Sequence, residues 1–202
     1  MKNKILFTKV RETKLPSVAY ASDAGIDFYI PNATEEFYNS LIKSNHLEDI
    51  LDKSKNLKAL TLNQSLDCLY DKENNKINIT IGPGARVLIP TGIKTIFDSS
   101  IALIALNKSG VASKLGLIVG AQVIDSGYRG EIHINLINTS NVDRITIESG
   151  QKIAQFVPIE LFDRNLQEVS NDEYDKISNE IKENFENGNS RSEGGFGSSN
   201  TK

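Results

Sequence analysis

The stretch "KINITIGPGARVLIPTGIKTIF", residues 76–97, constrains this chain more than any other. Ile77, Ile79 and Ile81 alternate with Asn78 and Thr80. A helix would spread these isoleucines around its circumference, whereas a strand gathers them on one side. "GPG" then supplies a turn and "RVLIP" begins another strand. "KILFTKV", "GIDFYI" (stopped by Pro31), "IALIALN", "GLIVGAQVI", "GEIHINLIN", "DRITIESG" and "KIAQFVPIEL" read as further short strands. In "EIHINLIN", Ile132, Ile134 and Leu136 take one face, with His133 and Asn135 on the other. Many short strands separated by turn signals predict an all-β protein, a barrel or jelly roll.

Two segments break this pattern. Between about Thr34 and Leu69, β-branched residues thin out, and Leu, Lys, Asn, Asp and Glu dominate. Phe37, Leu41, Leu47, Ile50 and Leu51 recur at spacings of about three or four, which predicts helix. Residues 34–76 therefore read as a helical insertion, ended by the "DKENNK" turn. Residues 166–190 read as a helical linker: Tyr174, Ile177, Ile181 and Phe185 fall on one stripe, with Gly188 as a stop. The β core is then residues 1–33 and 77–165, and residues 191–202 form a flexible glycine-rich arm.

Composition removes several functions. A net charge of −3 suits neither a broad nucleic-acid grip nor a basic membrane patch. One cysteine, Cys68, permits no internal disulfide, and two histidines far apart make a His/Cys zinc site an unattractive reading. The first residues, "MKNKILFTKVRETK", do not read as a signal peptide, and no apolar run approaches the ~20 residues a span needs. The expectation is a soluble, cytoplasmic protein, in the host cytoplasm if the chain is viral.

Five stretches carry residue types suited to chemistry. In "NKSGVASK", Lys108, Ser109 and Gly110 follow a strand; charge, hydroxyl and free backbone N–H make a phosphate cradle, or simply a turn. In "VIDSGYRGE", Asp125 ends a strand beside a tight turn, where it either deprotonates a water or caps the hairpin. Tyr128 either packs on a sugar or covers the hairpin's edge. Gln155 in "SGQKIAQFV" needs partners if buried, whether a ligand or a neighbouring strand. In "SDAGIDFY", Asp23 and Asp27 flank Gly25, as metal-attracting carboxylates or as turn and ion-pair residues. The tail "RSEGGFGSS" combines exposed glycine N–H groups, the Arg191 fork and the flat face of Phe196, all compatible with a nucleotide or with a solvated end.

Taken together and in order, "ASDAGIDFY", "NKSGVAS", "GAQVIDSGYRGE", "GQKIAQF" and "RSEGGFGSS" resemble the five motifs of the homotrimeric dUTP pyrophosphatase (dUTPase) family. "PTGI" at 90–93 also matches the lead into the second motif. The resemblance implies a jelly-roll subunit, a trimer with three active sites shared between chains, and hydrolysis of dUTP to dUMP and pyrophosphate with Mg2+. It implies Asp125 as the general base and Gln155 near the α-phosphate. Asp27 would act through water or partner contacts around the site. The backbone from Gly120 through Gln122, Val123 and Ile124 would pair with uracil, with Tyr128 under the deoxyribose. Lys108, Ser109 and Gly110 would hold phosphate. Arg191, Phe196, Gly197 and Ser198 would form the closing arm, with Arg191 and Ser198 on the γ-phosphate and Phe196 over the base. The metal would be held by substrate phosphates and water rather than by protein ligands.

This chain departs from the pattern at three points. Lys108 stands where the family has arginine, keeping the charge without the planar fork. Gln122 occupies a position where many members have a small residue. The 34–76 insertion has no counterpart in the motifs. Two alternatives accompany the leading reading. One is a dCTP deaminase or bifunctional enzyme on the same fold, for which Glu131 is the nearest glutamate. The other is a regulatory relative that binds a protein partner through residues 34–76.

Overall fold

The computed structural model describes residues 4–51, 57–60, 65–163 and 165–183. The first part of the chain runs β1 (Leu6–Lys9), β2 (Ile26–Tyr29), α1 (Glu35–Asn45), β3 (Glu48–Leu51), β4 (Leu57–Leu60) and β5 (Leu66–Asp71). The middle runs β6 (Lys76–Ile81), β7 (Arg86–Pro90), β8 (Ile93–Ile96), β9 (Ile101–Asn107), α2 (Ser109–Leu115) and β10 (Leu117–Val119). The last elements are β11 (Val123–Ile124), β12 (His133–Asn138), β13 (Ile145–Glu148), β14 (Lys152–Glu160) and α3 (Asn171–Glu183).

The strands form antiparallel sheets ordered β11-β9-β14-β2, β13-β6-β5-β4-β3, β10-β12-β7 and β1-β8. This is a jelly-roll-like, mostly β fold, as the alternating pattern predicts. All strands belong to a unit spanning Met1–Phe162, and α3 belongs to a second unit, Asp163–Lys202. No helix among the described residues is long and apolar enough to cross a membrane.

The period-two reading survives residue by residue. Ile77, Ile79 and Ile81 are fully buried, as are Ile132, Ile134 and Leu136. Burying each isoleucine or leucine is worth about 1.5–3 kcal/mol, which fixes the register of both strands, since a one-residue slip would expose the whole set. Phe28 of β2 and Phe156 of β14 meet with ring centroids 4.3 Å apart and tie the four-stranded sheet to the same core. The buried Asn138 donates to the carbonyls of Ile81, Gly82 and Asp143, closing the end where β6, β12 and β13 converge.

The 34–76 segment differs from its helical expectation. Among its described residues, helix covers Glu35–Asn45. Thr34 caps it, accepting from the Phe37 N–H at 3.1 Å. His46 takes a left-handed conformation (φ 51°) and stops it. Beyond the helix, Leu47 is buried outside it, and Ile50 and Leu51 belong to β3 rather than to a helix. Leu66, Cys68 and Tyr70 of β5 alternate as buried residues, and β5 pairs with β6 from Leu66↔Ile81 to Asp71↔Lys76. Partnership with β6 thus overrides a leucine spacing that suits either period. The segment is built into the core: Phe37, Tyr38 and Leu41 of α1 are at most 1% exposed.

Within the expected 166–190 linker, the described helix is α3 at Asn171–Glu183, with Ser170 Oγ accepting from the Glu173 N–H at 3.2 Å. Phe185 and the arm, including Arg191, Phe196, Gly197 and Ser198, lie outside the described residues.

Because α1 shares the core, Leu41→Ala should lower unfolding free energy by about 2–5 kcal/mol in urea denaturation. A detachable appendage would leave the main transition unmoved.

Candidate functional site

Asp27 is the centre of the first cluster. β2 runs beside β14, with Asp27 opposite Gln155, and β14 runs beside β9, with Gln155 opposite Leu106. β9 ends at Asn107, and Lys108 is the N-cap of α2. The cradle stretch is therefore a helix start rather than a simple turn, with Ser109 and Gly110 in its first turn. Backbone N–H groups at that position have no intrahelical acceptor.

The Asp27 side chain is only 4% exposed, yet both of its oxygens are engaged. Lys108 Nζ contacts Oδ1, and Lys152 Nζ lies 2.7 Å from Oδ2. Burial pushes the Asp27 carboxyl up, but the hydrogen bonds and charges of Lys108 and Lys152 outweigh it and hold the carboxyl below its ordinary value. Lys152 is pushed up, chiefly by its hydrogen bond to Asp27. Asp23 plays a different part: its carboxylate accepts from the Tyr20 N–H at 3.1 Å and caps a local turn. Of the two carboxylates around Gly25, one is a turn cap and the other an ion-pair centre.

Gln155 donates from Nε2 to the Asn107 carbonyl at 3.0 Å, so it bridges strands at the foot of Lys108. Gly25 packs against this side chain: a Cβ there would fall 2.8 Å from Gln155 Cδ, so a larger residue would displace the Gln155 amide. Asn107 Oδ1 in turn accepts from the Val119 N–H at 2.7 Å and ties β9 to β10.

The second cluster is the hairpin after β11. Asp125 is exposed and begins a turn closed by the Tyr128 N–H on the Asp125 carbonyl at 3.0 Å. Tyr128 donates from its hydroxyl to the Glu131 carbonyl at 2.7 Å. The ring crosses Gly130 so closely that a Cβ there would lie 2.6 Å from Tyr128 Cζ. Val123, Ile124, Asp125, Tyr128 and His133 line a cavity of about 220 Å³. The backbone of the expected base-pairing edge is partly spent in the sheet. The Gly120 N–H donates to the Asn135 carbonyl at 2.9 Å, and the Gln122 carbonyl accepts from Ala105 at 2.7 Å.

The chain thus gathers its expected residues into two groups. Asp27, Lys108, Ser109, Gly110 and Gln155 surround the meeting of β2, β9, β14 and α2. Asp125 and Tyr128 face a cavity that none of those five residues lines. Glu131 is committed elsewhere: its Oε1 accepts from Arg11 Nε at 3.0 Å and from the Gly92 N–H at 2.6 Å, and Arg11 Nη2 contacts Oε2. Sequence reasoning passed over Lys152 and His133. A register shift between Lys152 and Ala154 breaks the alternation that would have aimed Lys152 at Asp27. His133 was legible only as a residue on the polar face of β12.

Among the described residues, no three His, Cys, Asp or Glu side chains converge as a metal-binding group.

A family model described as dUTPase matches residues 56–200. The match leaves "ASDAGIDFY" outside, so Asp27 is tied to the site by its pairing with Gln155. The deoxyuridine 5'-triphosphate nucleotidohydrolase of Shewanella sediminis is 36% identical over 128 residues, covering 62% of this chain and 74% of the relative. That of an Enterobacter species is 36% identical over 129 residues, covering 61% and 74%. Among solved structures, a variant of the Staphylococcus bacteriophage 80alpha dUTPase with dUpNHpp is similar across 98% of this chain and 99% of its own, with TM-score 0.61 and 19% identity. A variant dUTPase from phage phi11 of S. aureus, whose structure describes a structural Mg(II) ion, covers 83% and 97%, with TM-score 0.55 and 16% identity.

The Asp27 cluster generates a pH signature. A carboxyl whose folded pKa is depressed contributes stability above its unfolded value, 3.8, and loses it as pH falls through the lower folded value. Asp27→Asn should therefore cost about 2 kcal/mol at neutral pH, and the gap from wild type should close in acid. Urea unfolding of both proteins across pH reads this; a gap constant with pH would refute it.

Proposed function

The chain belongs to the dUTPase family, and from that membership we infer that it is a dUTP diphosphatase, cleaving dUTP to dUMP and pyrophosphate. The observation that carries the mechanism is the exposed Asp125 carboxylate beside Tyr128 on one cavity. Asp125 accepts a proton from a water whose oxygen bonds to the α-phosphorus. The bond from that phosphorus to the α–β bridging oxygen breaks, and its electron pair leaves with pyrophosphate. Tyr128 offers its ring to the deoxyribose, and the Gly120–Ile124 backbone, with Gln122 and Val123, borders the uracil.

Lys108 supplies positive charge to the phosphates, with Ser109 and Gly110 offering donors beside it. Its compact ammonium, already on Asp27, is held near the phosphates without an arginine fork. Gln155 positions the end of β9 from which Lys108 and α2 begin. Magnesium, bound through substrate phosphate oxygens and water, would supply further charge neutralisation beside Lys108. From the family resemblance we carry over Arg191 and Ser198 as phosphate-binding residues and Phe196, beside Gly197, as the residue over the base; all four lie outside the described residues.

The division of the site into two groups supports assembly as a homotrimer, in which one copy's Asp27 group faces a neighbour's Asp125 cavity. The engagement of Glu131 by Arg11 and Gly92 weighs against a deaminase, which needs a free carboxylate near the pyrimidine. Within residues 34–76, α1 and β5 give their apolar faces to the core, and β3 ends the five-stranded sheet, an edge open to a protein partner. A cytoplasmic location fits a substrate drawn from the nucleotide pool.

Asp125→Asn should lower kcat by about 10²–10⁴-fold while dUMP still binds, read as pyrophosphate release beside calorimetric binding; near-normal turnover would remove Asp125 as the base. A chain ending at Asn189 should lose most turnover and keep its assembly size by light scattering. Parallel assays with dUTP, dCTP, dTTP and UTP, with and without magnesium, should show turnover concentrated on dUTP.

A further inference from the structure

His133 stands between the inserted helix and the nucleoside-side cavity. It lines the cavity with Asp125 and Tyr128. Its Nδ1 lies 2.9 Å from the Glu131 carbonyl oxygen, and its Nε2 lies 3.3 Å from Ser44 Oγ at the end of α1. A carbonyl only accepts, so the ring hydrogen is on Nδ1, and in the neutral ring Nε2 accepts from the Ser44 hydroxyl. The same Glu131 carbonyl accepts from the Tyr128 hydroxyl at 2.7 Å. One oxygen therefore sets both rings that border the cavity, and the Glu131 side chain is itself pinned by Arg11 and the Gly92 N–H.

Ser44 is not loosely placed. The next residue, Asn45, clamps the free edge of β7: its Oδ1 accepts from the Leu88 N–H at 2.7 Å and its Nδ2 donates to the Leu88 carbonyl at 2.8 Å. Pro90, two residues along β7, lies directly opposite His133 on β12. The end of α1 is thus registered on the same pair of strands that presents the imidazole.

We propose that His133 is a nucleoside-contacting residue of this site, positioned by Ser44, so that the inserted helix sets how tightly the cavity holds sugar and base. This rests on the diphosphatase reading for the identity of the ligand. It gives α1 a role in affinity distinct from its role in the core, because Ser44 offers a hydroxyl to the imidazole while Leu41 is buried.

The chain has two histidines, so their ring resonances are separable by NMR, and Ala at 133 assigns one by its loss. Saturation with dUMP should shift the His133 resonance and leave that of His46 in place. Ser44→Ala should displace the same resonance before ligand is added. It should also raise KM for dUTP about five- to tenfold, with kcat within about twofold, and Ser44→Thr, which keeps the hydroxyl, should restore KM. An unmoved His133 resonance at saturating dUMP, or a Ser44→Ala protein with wild-type KM, would overturn the proposal. Absence of pyrophosphate release from dUTP by the wild-type chain would instead overturn the diphosphatase reading, while the dUMP shift still decides the place of His133.

Discussion

One buried carboxylate organises the charged side of this molecule. Asp27 lies in a strand, where a lone aspartate is disfavoured, and stripping its water would be prohibitive without compensation. Two ammonium groups supply that compensation, one from the cap of α2 and one from the start of β14. Three separate parts of the chain therefore meet at one point, where the buried Asp27 carboxylate would be left uncompensated if both lysines moved away. A buried pair of this kind is weak evidence of net stability, since desolvation offsets much of the attraction. What it supplies is position: Lys108 is fixed at the head of α2 by its contact with Asp27.

The β framework was legible because its signal repeats. Ile77, Ile79 and Ile81 permit one register, and the pattern around Ile132, Ile134 and Leu136 agrees with it. The contributions of Lys152 and His133 were hidden for a different reason. Each depends on where a neighbouring element lies: a register irregularity in β14 for the lysine, the seat of α1 for the histidine. Single-sequence periodicity describes a face, and says nothing of what stands opposite it.

The 34–76 segment shows the same limit from the other side. Leucines three and four apart suit a helix, and Glu35–Asn45 obeys them. Past His46 the same composition supports strands, because β6 offers an unfilled edge whose pairing satisfies backbone groups that a solvated helix would satisfy internally. Asn45 makes the transition workable. Its amide completes the exposed edge of β7 at Leu88, so the helix ends by acting as a short piece of strand.

The separation of the two groups of functional residues is itself a constraint on catalysis. On the proposed reading, Asp125 activates the attacking water while cationic groups hold the phosphates, and in-line displacement tolerates little misplacement. Within one chain, the Asp125 cavity is lined by hairpin residues and His133, without the Asp27 cluster. On the proposed reading, a second copy must bring the missing phosphate-side half, so an isolated subunit would hydrolyse poorly. Assembly then does more than add stability. On that reading it is the step that joins a pre-paired cation cluster to a nucleoside cavity whose wall reaches back, through Ser44, to α1.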